Sequence, residues 1–101
     1  MFVATCEFDI LLGDVHSLKE KRAVLRPVVK EVRRRFDVAV AETDHQDLHR
    51  RSIVTVAAVS SSAAHAREIA DACEEWVSGL PEISVVAVRR RMFGGDDEGV
   101  G

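Results

Sequence analysis

Apolar and polar residues alternate along residues 2–12: Phe2, Ala4, Cys6, Phe8 and Ile10 fall on one side, Val3, Thr5, Glu7, Asp9 and Leu11 on the other. A period of two is that of a strand with one buried face, and Gly13-Asp14 breaks it. The period then lengthens. Ser17 is followed three residues later by Glu20, the spacing of a capping box that opens a helix. At about 100° per residue, Leu18, Leu25, Val29, Val32 and Phe36 lie within roughly 40° of one line, flanked by Val28. An amphipathic helix over residues 17–36 is expected. Pro27 stands inside it and removes one backbone hydrogen bond. It projects almost opposite the apolar line, so a single kinked helix, convex toward solvent, accommodates it.

The pattern repeats in the second half. Residues 37–43 read as a strand with Val38 and Val40 inward, a polar connection follows over 44–49, and residues 52–60 form a strand rich in Val and Ile. Ser60-Ser-Ser62 offers N-caps for a helix whose apolar positions are Ala66, Ile69, Ala70, Cys73, Trp76, Val77 and Leu80. Gly79 and Pro81 stop it, and a last strand covers 83–88 with an extension into the arginines at 89–91. The order β-α-β-β-α-β with two amphipathic helices predicts an α+β, ferredoxin-like fold: a four-stranded antiparallel sheet with both helices on one face. The other face, with Glu7, Asp9, Thr43 and Thr55, is left open. Residues 93–101 hold too little apolar matter to pack, so one domain over 1–92 with a disordered tail is expected.

Charge adds a second layer to the first helix. The 101-residue chain has a formal net charge of −3, from 14 basic and 17 acidic residues, which argues against wholesale coating of nucleic acid or membrane. The distribution is uneven, because residues 19–35 carry eight basic side chains against Glu20 and Glu31. Lys19, Arg22, Arg26, Lys30 and Arg33 are spaced 3, 4, 4 and 3 apart and form one stripe beside the apolar line. A row of cations at that spacing can track phosphates. It can equally be a solvated face, or be neutralised by Glu68, Asp71 and Glu75 of the neighbouring helix. Arg50 and Arg51 are candidates to extend the surface.

Other chemistry finds little support. No nucleophile elbow and no glycine-rich phosphate loop is present, and neither cysteine has an evident His partner. Acylphosphatases share the fold but use an arginine with an asparagine, and this chain contains no Asn. RNA-recognition motifs share it too and stack bases on aromatics of the sheet, whereas the third strand has none. Asp44, His45, Asp47 and His49 are metal-capable but lie in one short connection without a remote ligand, so a loop, and no metal or cofactor, is expected there. Cys6 and Cys73 read as reduced core residues, and Trp76 as packing. No signal peptide or long apolar run is visible, which points to the cytoplasm.

Ser17-Leu-Lys-Glu-Lys-Arg22, the junction over residues 33–42, and Asp44-His-Gln-Asp-Leu48 together resemble the YlxP-like proteins, small bacterial domains of unassigned function, over about residues 2–92. The resemblance implies a ferredoxin-like fold and a gene neighbourhood shared with translation-initiation and ribosome-maturation factors. It supplies no catalytic residues. Where that family often has Trp-Gln-Arg, this chain has His49-Arg50-Arg51, which raises the local positive charge. The expectation is a non-enzymatic binding module that meets ribosomal RNA or the small ribosomal subunit through Lys19, Arg22, Arg26, Lys30 and Arg33. The alternative is a protein-interaction or homodimer module using the open sheet face, where the small Ala57 and Ala58 would allow close approach.

Overall fold

In the computed structural model, which describes residues 1–95, the two periodicities become six elements: β1 (Phe2–Leu11), α1 (Leu18–Phe36), β2 (Ala39–Asp44), β3 (Arg51–Ser60), α2 (Ala63–Ser78) and β4 (Ser84–Gly94). The sheet order is β2-β3-β1-β4 and every pairing is antiparallel. This is the ferredoxin-like arrangement that the pattern predicts. The even-numbered positions of β1 and β3 carry Cys6, Phe8, Ile10, Val54, Val56 and Ala58 inward, where they join Leu25, Val28 and Val32 of α1 and Cys73 and Val77 of α2. Each such large apolar side chain contributes about 1.5–3 kcal/mol on leaving water. A one-residue slip would turn Glu7 and Asp9 into this layer, so the register is fixed by the same pattern that drives the collapse.

The structure adjusts four of the expectations. The buried line of α1 is Lys21, Leu25, Val28 and Val32, with Leu18, Val29 and Phe36 half-buried beside it. The helix is therefore turned by roughly 40° from the line that the apolar residues alone suggest. Asp37 begins no strand; it is the left-handed C-cap of α1 (φ 51°), and its N–H bonds the Arg33 carbonyl, a conformation that Asp tolerates better than most residues. Ala58 faces the helices, so of the two small residues on β3 only Ala57 lies on the open face.

The fourth concerns the end of the sheet. β4 runs to Gly94, and Phe93 and Gly94, expected in the tail, pair with Val3 and Phe2. Gly94 has φ +103°, and a Cβ there would collide with the Met1 carbonyl. Only glycine fits that crossing. The expectation of disorder over the remainder of the tail falls on residues 96–101, outside the described residues.

Candidate nucleic-acid interface

The candidate surface begins with how α1 is started and stopped. Ser17 is extended and its side chain accepts the Glu20 N–H. Glu20 returns the bond one residue further out than in a standard capping box, to the N–H of His16 at 2.8 Å. At the far end Arg33, Arg34 and Arg35 occupy the last turn, where cations complement the negative end of the helix dipole. Between these caps, helical geometry puts Lys19, Arg22, Arg26, Lys30 and Arg33 roughly 90–170° away from the buried line, and all five are exposed.

The second helix does not neutralise them. Ala23, Val24, Pro27 and Glu31, on the other flank of α1, line a groove of about 530 Å³ with Trp76 and Leu80 of the α2 side. Of the acids of α2, Asp71 and Glu74 both pair with Arg90 of β4, at 2.9 Å each, and neither Glu68 nor Glu75 has an ion-pair partner among the described residues. Glu31 is engaged by Arg34 and Arg35, and the Arg34 hydrogen bond holds its carboxyl below the usual carboxylate range. Among the described residues no carboxylate lies within ion-pair distance of Lys19, Arg22, Arg26, Lys30 or Arg33. Arg33 has a second task, donating from Nη2 to the Val40 carbonyl on β2 at 3.0 Å.

The two remaining candidates separate. Arg50 stays near the start of α1, where its Nε meets the Val15 carbonyl at 3.4 Å and its own carbonyl receives the Leu12 N–H. Arg51 points to the opposite side of the sheet and holds Asp9 through two bonds of 2.7 and 2.9 Å. It does not extend the stripe. That open face has a concavity of about 630 Å³ lined in part by Glu7, Asp9, Asp44 and Arg89, a set of mixed charge in which Asp9 is already held by Arg51.

One cation of α1 behaves differently from the rest. Lys21 is only 2% exposed, its Nζ lies 2.7 Å from Oε2 of Glu42 on β2, and it donates to the His45 carbonyl. Glu42 Oε2 also accepts the hydroxyl of Ser52, a wholly buried residue of β3, at 2.6 Å. His45 sits at φ 60° and bonds Asp44 Oδ1 through its N–H. The ammonium thus joins α1, both strands of the hairpin and its turn. Sequence reasoning counted Lys21 with the basic cluster, although its spacing of 4, 7 and 11 from Leu25, Val28 and Val32 already assigned it to the core line.

The metal-capable loop does not assemble: among the described residues no three His, Cys, Asp or Glu side chains are placed to share an ion. Cys6 and Cys73 are free thiols inside the core, and burial pushes them up to about 12 and about 11. Trp76 packs edge-on to Phe36, with ring centroids 6.1 Å apart, and the Arg35 guanidinium lies 5.0 Å from its ring centre.

With this geometry in hand, comparison with known proteins gives a family without a chemistry. Residues 3–90 match the family described as "Protein of unknown function (DUF503)". The chain belongs to that family. The chain is 32% identical over 91 residues to the uncharacterized protein YlxP of Bacillus subtilis (strain 168), covering 90% of this chain and 99% of that protein. The YlxP-like resemblance carried by residues 17–22, 33–42 and 44–48 together is thereby met. Among solved structures, the solution NMR structure of a de novo designed protein with a ferredoxin fold is similar at a TM-score of 0.47 and 14% identity, over 97% of this chain and 90% of that one. No described helix of the DUF503 chain is long and apolar enough to cross a membrane.

Proposed function

We propose that this DUF503 protein is a non-enzymatic cytoplasmic module that binds structured RNA, ribosomal RNA or the small ribosomal subunit, through the outer face of α1. The observation that supports it is the row Lys19, Arg22, Arg26, Lys30 and Arg33, exposed and without carboxylate partners among the described residues. Over residues 19–33 the row rises about 21 Å along the helix axis in steps of about 4.5–6 Å, so one rigid element presents charges in series to a phosphate backbone. Rigidity matters because little side-chain and backbone freedom remains to be lost on binding. The formal net charge of −3 argues against attraction spread over the whole surface.

The gene neighbourhood implied by the YlxP-like resemblance is consistent with a ribosomal target. A salt titration of binding to small subunits and to isolated ribosomal RNA tests the reading. With four or five phosphate contacts, log affinity falls against log salt with a slope of about −3.5 to −4.5. Absence of binding at low salt, or binding unchanged by Lys30→Glu with Arg33→Glu, overturns it.

A further inference from the structure

The two edges of the sheet are treated differently. β2 is six residues long, its register shifts between Glu42 and Asp44, and Arg33 covers the Val40 carbonyl. Short length, irregularity and a covering side chain are how proteins blunt an edge. β4 is eleven residues long, and its irregularity falls near the start, between the pairings Asp9–Ala87 and Ile10–Val85. Residues 87–94 then pair one-to-one with β1 on the inner side. Among the described residues no side chain bonds the backbone of that stretch from outside.

Its side chains say what could pair there. Arg89, Arg91 and Phe93 alternate onto the open face opposite Glu7, Thr5 and Val3, and Phe93 is 49% exposed. Arg90 faces the helices and is held by Asp71 and Glu74, whereas neither Arg89 nor Arg91 has an ion-pair partner among the described residues. A second copy of this chain is a poor occupant. The two-fold antiparallel registers that engage the largest part of residues 87–94, all but one of them, are centred on Arg90 or Arg91, and both set arginine directly against arginine, which destabilises a strand pair. A strand with carboxylates two positions apart meets Arg89 and Arg91 instead, and an apolar residue two further on meets Phe93.

We infer that the outer edge of β4 is a docking site for an extended, acidic segment of a partner protein, which adds a fifth strand to the sheet beside Arg89 and Arg91. Backbone bonds hold the segment, and the arginine pair selects it by charge. This surface is independent of the α1 stripe, so it stands or falls without the RNA reading.

The probe is a blocked heptapeptide, Val-Thr-Glu-Thr-Glu-Val-Thr, titrated into the full chain while backbone amides are followed by NMR. Shift changes and slowed hydrogen exchange are expected across residues 87–94 and not along β2. Arg89→Glu with Arg91→Glu lowers affinity for this peptide by about tenfold and creates affinity for its Lys-for-Glu counterpart. No response in the millimolar range, or an unchanged preference in the charge-swapped protein, overturns the inference. So does equal binding of a peptide with Pro at its centre, which would be charge contact without strand addition. Protection of β4 in a dimer of the free protein would assign the edge to a second copy, and shifts there with RNA alone would assign it to nucleic acid; either also overturns it.

Discussion

Lys21 and Lys30 are the same residue type on the same helix, nine positions apart, and they do opposite things. Lys30 is exposed in a row of cations without carboxylate partners among the described residues. Lys21 is buried under the helix, between Glu42 and the His45 carbonyl. The rotation about the helix axis decides which: one lysine faces a strand pair that supplies an acid, the other faces water. A basic cluster read as a sum of charges therefore mixes a cross-link of the fold with a solvent-facing row of cations, and the two respond differently to substitution.

The contrast is sharpened by variants ordered by their effect on stability. Lys21→Met comes first. It leaves the Glu42 carboxylate, itself 26% exposed, without its cation, and unfolding in urea should show a loss of about 2–3 kcal/mol, below the full range for a broken buried pair because Glu42 keeps some water. RNA affinity of the still-folded fraction should be unchanged; lost binding with intact stability would move Lys21 into the surface row. Ser52→Ala removes a buried hydroxyl bonded to the same carboxylate and should lower stability by about 1–2 kcal/mol in the same assay. Arg90→Gln, which parts partly exposed pairs with Asp71 and Glu74, should lower it by about 0.5–1 kcal/mol. Arg26→Glu with Lys30→Glu should stay within about 0.5 kcal/mol of the parent while flattening the salt slope of RNA binding by about 2. A large stability change in that pair would place the stripe in the fold and not on a binding surface.

The smallest effect at neutral pH comes from the thiols. Their folded values of about 12 for Cys6 and about 11 for Cys73 lie above the ordinary value of 9.0, so the unfolded chain loses these protons first. The contribution is complete below pH 9 and declines as pH rises from there toward 11–12. Denaturation midpoints should show that decline, reduced in Cys73→Ala; the chain has no tyrosine to add its own titration. An identical decline in the variant would assign it to other groups.

Much of the fold was legible because period two and period 3.6 are direct images of which side meets water. The inward row of β1 follows from that alone, the Ser17 cap from its spacing to Glu20, and the second helix start from the serines at 60–62, of which the structure uses Ser62. What was not legible depends on partners distant in sequence. Lys21 is burial-competent only because Glu42 and Ser52 arrive from the hairpin. Arg51 leaves the stripe because strand parity turns it toward Asp9. Phe93 looked like tail because Gly94-Gly95 follows it, yet Gly94 is what lets the strand pass the Met1 carbonyl. For the candidate site, the sequence contained the spacing of the cations but not the whereabouts of the acids, and the Arg90 pairings answered that.

Trp76, the sole tryptophan of the chain, sits where the end of α1 meets α2, with Phe36 edge-on and Arg35 across its ring. Its emission is therefore a built-in optical gauge of how firmly the last turn of α1 is seated. Since Arg33, the final cation of the stripe, belongs to that same turn, loosening there would change the indole signal and shorten the charged row together, and a single cuvette could follow both.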